Sequence, residues 1–312
     1  MRKIMICVIV ASLFTGCQQT TPGINTEAVV TDSMNEGSDI AADNLKLPNL
    51  LNAFNEVVIY GTPADSKEFV DRYITTASEL DADIMLTMYV DHQNQYLDQY
   101  SEDIFIGSYQ NALLDAYDKS YNLDKLSKEY SEEIMNFLKA IKRDGFLLNY
   151  HEGIVTLYPD YNLLKNYENY VSDSIKGYID ILSRESSEIL SADGGLTITW
   201  DELSYRVLNA ERYLVKYENS IRYDEVFELY KWYLNILLTG LPDTPIYYRN
   251  SNLIRNDVLQ SYNKTIIHNT DMVTSNILKE YLDIIRTKDN KIDGEALDYV
   301  RETLKTISFS TY

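Results

Sequence analysis

The stretch Thr199–Leu238, TWDELSYRVLNAERYLVKYENSIRYDEVFELYKWYLNILL, states the architecture of this chain most directly. Thr199 and Glu202 have the spacing of a capping box, and Leu203, Val207, Ala210, Leu214 and Tyr217 then recur on one helical face. Asn219 and Ser220 interrupt the run. Tyr223, Val226, Phe227, Tyr230, Leu234 and Leu237 mark a second apolar face that stops before Gly240 and Pro242. Two helices joined by so few residues are expected to pack antiparallel, as a scaffold for their neighbours.

Working outward, the carboxy-terminal side continues in the same style. Leu241-Pro242-Asp243-Thr244-Pro245 reads as a restricted loop leading to Tyr247 and Tyr248, followed by helices over 254–268, 272–286 and 295–307. On the amino-terminal side, Leu50, Leu51, Phe54 and Val57 mark the start of the folded part, and Thr62-Pro63 suits a helix start. The spacing of Phe69, Tyr73, Ala77, Leu80, Ile84, Leu86 and Tyr89 predicts one helix over 63–90, before a polar segment at 92–103. Further helices are expected over 104–117, 123–141 and from Tyr161 to Leu190, broken or relaxed between Asn166 and Tyr170. Between them, Phe146–Tyr150 and Ile154–Tyr158 flank His151-Glu152-Gly153 as a β-hairpin. Asp193-Gly194-Gly195 resets the chain before Thr199. The expected fold is mainly α: an irregular multi-helical bundle or helical array with a small β-hairpin. A subdivision near 144–160 and one continuous core are both open.

The chain has 312 residues and a net charge of -20, from 28 Lys plus Arg against 48 Asp plus Glu. That balance excludes nucleic acid as an expected partner, because phosphate binding needs concentrated positive potential. Tyr supplies most of the aromatic surface, with 27 residues against 8 Phe and 2 Trp. Such rings suit a core whose polar rim receives the hydroxyls.

At the amino terminus, Arg2 and Lys3 precede the apolar run Ile4–Phe14 and then Thr15, Gly16 and Cys17. The run is too short for a permanent membrane-spanning helix. Leu13-Phe14-Thr15-Gly16-Cys17 resembles the processing site of bacterial lipoprotein precursors. The resemblance implies removal of signal residues 1–16 and attachment of diacylglycerol to Cys17, with palmitate-type acyl chains as the membrane contact. Residues 17–45 would then be a lipidated terminus and flexible tether, and 46–312 a mostly helical extracytoplasmic domain of the cell envelope. Phe14 is bulkier than the aliphatic residue usual at that place. With Cys7 in the signal and Cys17 lipidated, no thiol remains for a disulfide or a cysteine-based zinc site.

A second, partial resemblance runs over about 200–238. Ala210-Glu211-Arg212-Tyr213-Leu214 with Tyr217-Glu218-Asn219-Ser220 is similar to the turn of a tetratricopeptide-type hairpin, with Ala210 at the small-residue position. No second matching unit accompanies it.

The chemical constellations are sparse. His92, His151 and His268 are far apart in sequence, without a zinc-protease spacing. Asp81 and Asp83 leave a helix on different sides, Asp201 and Glu202 suit a helix start, and Asp289–Glu295 lacks a calcium-loop alternation because Lys291 interrupts it. No catalytic residues, cofactor or metal set is therefore assigned. Trp200, Trp232, Tyr247 and Tyr248 are the ligand-contact candidates, since their rings could stack on a sugar, peptide or aromatic group. The functional expectation is a lipoprotein whose domain supports protein interaction, envelope organisation or ligand capture, with an envelope protein or small ligand as partner. A lipid-anchored envelope enzyme and a transporter substrate-binding component, which needs a hinged pair of α/β lobes, are the alternatives.

Overall fold

The computed structural model describes residues 50–105, 109–126 and 128–309. The signal, Cys17 and the tether lie outside the described residues. Twelve α-helices, two 3-10 segments and two antiparallel hairpins follow one another there, as a mainly helical, irregular array with no extended sheet.

Its centre is the pair α8 (Trp200–Lys216) and α9 (Tyr223–Thr239). Leu203, Val207, Ala210 and Leu214 of α8 and Val226, Tyr230, Leu234 and Leu237 of α9 are fully buried, the faces that the spacing predicts. Thr199 caps α8 by accepting the Glu202 amide at 3.1 Å. The reciprocal half of the expected capping box is missing, because the Glu202 carboxylate is held instead by Arg184 and Arg206. Two guanidiniums outcompete the Thr199 amide for this carboxylate, since their hydrogen bonds are charge-assisted.

Around this pair pack α10 (Asn256–His268), α11 (Val273–Arg286) and α12 (Gly294–Thr306), close to their expected bounds. Gly240 ends α9 at φ +76, with the Thr244 carbonyl 2.4 Å from where a Cβ would stand. Only glycine fits that turn. On the other side lie α7 (Asp173–Ser187) and a 3-10 segment, Tyr161–Tyr170. The break or relaxation expected between Asn166 and Tyr170 falls just after Tyr170, where Ser172 accepts the Ile175 amide and starts α7 afresh.

The first helices are α1 (Leu50–Tyr60), α2 (Pro63–Tyr73) and α3 (Glu79–Asp103). The helix expected over 63–90 is likewise broken. After a 3-10 turn at Ile74–Thr76, Ala77 is extended and Ser78 caps α3 through the Asp81 amide at 3.1 Å. The helix then runs through the polar segment to Asp103, because Leu97 and the partly buried Tyr96 and Tyr100 pack into a second apolar cluster.

That second cluster is built from α4 (Tyr109–Asp118), α5 (Leu123–Leu126), α6 (Glu132–Arg143) and the hairpin β1 (Phe146–His151) with β2 (Ile154–Pro159). Leu113, Leu126, Leu138, Ile141, Phe146 and Val155 are its buried centre. The helix expected over 123–141 is two helices, with Ser131 capping the second. Residues 146–159 pair in register from Phe146 with Pro159 to His151 with Ile154, around a turn with Glu152 at φ 48 and Gly153 at φ 89. Positive φ at both central residues makes this a type I′ turn. The side-chain amide of Gln110 closes the outer edge of β2, giving to the Val155 carbonyl and taking from its amide, both at 2.9 Å.

A second hairpin, β3 (Ser191–Ala192) and β4 (Gly195–Leu196), was not expected from sequence. Asp193 at φ 45 and Gly194 at φ 78 form another type I′ turn. An Asp-Gly pair is a strong hairpin signal. Its flanking strands are too short to show alternation.

Candidate functional site

A surface cleft lies where β4, the start of α8 and the start of α10 meet. It encloses about 530 Å³, within the range of small-ligand sites. Trp200, Asp201, Arg255, Asp257, Gln260 and Lys264 line it. Local folding places each of these. Thr199 starts α8, which sets Trp200 and Asp201 at its first turn. The Arg255 amide donates to the Ile246 carbonyl at 2.8 Å, which fixes the start of α10, and one turn of helix separates Gln260 from Lys264. Thr244 accepts the Leu196 amide through its hydroxyl at 2.8 Å, joining the wall beside β4 to the restricted Pro loop.

The charged lining is balanced, with two acids and two bases in a chain of net charge -20. Lys264 Nζ stands 2.5 Å from Asp201 Oδ2, and Arg255 holds Asp257 with both nitrogens at 3.1 and 2.9 Å. The hydrogen bond from Lys264 holds the Asp201 carboxyl below its ordinary range, and that from Arg255 does the same to Asp257. Both ion pairs are solvent-exposed, so each is worth about 0–1 kcal/mol and is readily exchanged for a ligand's charges.

Of the four aromatic candidates, Trp200 alone lines this cleft. Its ring is 8% exposed, so it offers an edge rather than a stacking face. Trp232 packs beside Tyr233 at 5.4 Å between ring centres, against the main core. Tyr247 is partly buried in the same core, and Tyr248 is exposed on the neighbouring loop. The structure does not bring these four together.

The three histidines have separate settings. His92 is buried, with Nδ1 2.8 Å from the Ser66 hydroxyl, and burial lowers its pKa despite opposing fields from Asp144 and Asp65. His268 is exposed in the last turn of α10, and His151 is exposed at the tip of the first hairpin. Of the other acids, Asp83 is buried and accepts the Ser172 amide at 2.8 Å, Asp81 takes the Ser78 hydroxyl at 2.7 Å, and Asp293 caps α12.

Two charge networks, the first buried and the second reaching the surface at Asp91, were invisible in linear sequence. Arg206, 3% exposed, meets Glu185 at 2.5 Å and Glu202 at 3.1 Å, while Tyr233 donates to the same Glu185 oxygen at 2.5 Å. Arg222 meets Glu225 at 2.6 Å and Asp91 at 2.8 Å, and Tyr178 donates to Glu225. The first network joins α7, α8 and α9, and the second joins α3, α7 and α9. Burial of this depth needs full pairing. These groups serve packing rather than an open site.

The fold and cleft define an α-helical array with a charge-balanced surface cleft; a second cleft of about 590 Å³, between α7 and α8, is lined by Lys165, Arg184, Asp180 and Glu188. Comparison with protein-family models, curated proteins and solved structures finds no match to this chain. Among the described residues, no helix is long and apolar enough to cross a membrane.

Proposed function

We propose that this chain is a lipid-anchored extracytoplasmic capture protein that holds a small zwitterionic solute, the size of an amino acid or short peptide, in the α8–α10 cleft. The observation that carries this reading is the charge-balanced lining, Asp201 and Asp257 with Lys264 and Arg255, in a strongly acidic chain. A zwitterion brings a carboxylate for the two bases and an ammonium for the two acids. The exposed internal ion pairs give way at little cost. Lipid attachment at Cys17 would concentrate the cleft at a membrane, as the resemblance of residues 13–17 to lipoprotein processing sites implies. Neither alternative has comparable support. The described residues hold two two-stranded hairpins and no larger sheet, which gives no basis for paired α/β lobes. The carboxylates of the cleft are each engaged by a base rather than poised over a reacting bond.

Thermal melting of the purified protein with free amino acids and di- and tripeptides at millimolar concentration tests the cleft. A bound zwitterion raises the midpoint through mass action, and N-acetylated or amidated analogues do not. Lys264→Ala and Arg255→Ala each abolish the shift. The reading fails if no zwitterion stabilises the protein, or if both variants respond like the parent. Mass analysis of the terminus after bacterial expression tests the anchor: residues 1–16 are absent and Cys17 carries acyl mass, whereas a retained signal or an unmodified Cys17 refutes it.

A further inference from the structure

The two type I′ hairpins meet. His151 and Glu152, at the tip of β1–β2, come together with Asp193, at the tip of β3–β4. One nitrogen and two carboxylate oxygens from these residues all lie within 4.8 Å of one another. The donors come from turns far apart in sequence. Among the described residues none of the three side chains makes a hydrogen bond or ion pair, although 19 such ion pairs are formed elsewhere. Two carboxylates this close repel one another, and among the described residues neither is paired with a Lys or Arg. A dication removes the repulsion outright.

We propose that His151, Glu152 and Asp193 form a divalent-metal site, suited to a borderline ion such as Zn²⁺, that ties the two hairpins together. The imidazole is what selects the ion. Mg²⁺ and Ca²⁺ take oxygen ligands, whereas one imidazole with two carboxylates suits Zn²⁺, Co²⁺ or Ni²⁺ and leaves a further position to water. At zinc-ligand lengths of about 2.0–2.2 Å, donors in a tetrahedral site stand roughly 3.4 Å apart. No pair need therefore close by more than about 1.4 Å. All three side chains are exposed and free to turn inward. The tips themselves are firmly based. Residues 146–159 pair in unbroken register, while the Gly194 carbonyl accepts the Asp243 amide at 2.9 Å and Leu196 donates to Thr244. Gly153 has nothing within 4 Å of a notional Cβ, so the tip is open to an incoming ion.

The site would also be a link between cores. Phe146, Val155 and Leu157 of the first hairpin belong to the smaller apolar cluster, and Leu190 and Leu196 beside the second belong to the larger. A shared ion fastens one to the other at the surface.

Isothermal titration of the full chain with ZnCl2 and with MgCl2 provides the test, in a Cys7→Ser, Cys17→Ser background so that no thiol competes. One Zn²⁺ binds per chain, at least 100-fold more tightly than Mg²⁺. His151→Ala and Asp193→Asn each weaken Zn²⁺ by at least tenfold, and His268→Ala, which removes the other exposed imidazole, leaves it unchanged. Amide exchange in 150–154 and 192–196 slows together when Zn²⁺ is added to the parent. The site is refuted by the absence of saturable one-to-one binding, by variants that bind like the parent, or by loss of binding in His268→Ala. If exchange slows in one hairpin alone, the link between them is refuted.

Discussion

At the scale of single residues, the most consequential side chains are charged groups out of water. Removing the guanidinium of Arg206 by Arg206→Met leaves Glu185 without its cation, held by the Tyr233 hydroxyl alone, at a cost of about 3–5 kcal/mol. Urea unfolding should show that loss, and Glu185→Gln in the same chain should return part of it; a cost under about 1 kcal/mol would mean that the network is solvated. His92 gives a distinct pH dependence. Its pKa is lowered in the folded state below the ordinary 6.5, chiefly by burial, while Asp144 and Asp65 act in the other direction. The unfolded chain therefore takes up the proton first as pH falls below about 6.5, and stability declines until the folded pKa is reached. Asp65, Asp201 and Asp257, whose pKa values are lowered from 3.8, lose their contribution only in more acid solution. His92→Gln should flatten the urea midpoint between pH 7 and 5, and an unchanged slope would contradict this assignment. None of this was legible in the sequence. Arg206 and His92 carry no local mark of burial, since what buries them comes from helices tens of residues away.

The element scale was more legible, and its errors share one cause. Apolar periodicity located the α8–α9 hairpin, the last three helices and the first β-hairpin, because each has flanking turn residues that agree with its pattern. Long apolar stripes hid internal breaks at Ser78 and Ser131 and blurred the one at Ser172, expected a few residues earlier; each of these serines caps a new helix. A serine facing a continuing stripe reads as a tolerated helix interior residue, and only the turn before it reveals a start. At Asp193-Gly194 the chain reset was read but the hairpin was missed for the opposite reason, its strands being two residues each. Of the candidate site, Trp200 was marked by sequence, but Arg255, Asp257 and Lys264 were not, because the cleft depends on how α10 lies against α8. Caps also act between elements. The buried Glu211 of α8 accepts the amides of Val273 at 2.5 Å and Thr274 at 2.9 Å, and so caps α11, whose own N-cap residue Met272 cannot. Glu211→Ala should cost about 0.5–2 kcal/mol and loosen amide exchange at the start of α11 first. Equal loosening across α8 would point to general damage instead.

For the whole molecule, the two apolar clusters set how stability is distributed. Leu113→Ala and Leu234→Ala each empty a fully buried site and should cost about 2–5 kcal/mol. Their reach should differ. Leu113 lies in the smaller cluster, so its variant should raise exchange in α4, α6 and the first hairpin while α8 and α9 stay protected. Leu234 belongs to the larger cluster, and its loss should raise exchange throughout α8 and α9. Identical exchange profiles would show that the two clusters open as one.

α3 contributes to both. Met85, Leu86, Tyr89 and Val90 sit in the larger cluster, and Leu97 in the smaller, along one helix of 25 residues and about 37 Å. The angular position of one core around that axis is then fixed by a count of residues. One residue inserted between Val90 and Leu97 would turn the smaller core by about 100° relative to the larger, whereas seven would restore the phase to within about 20°. The helix works as a camshaft: its length is adjustable only in whole turns.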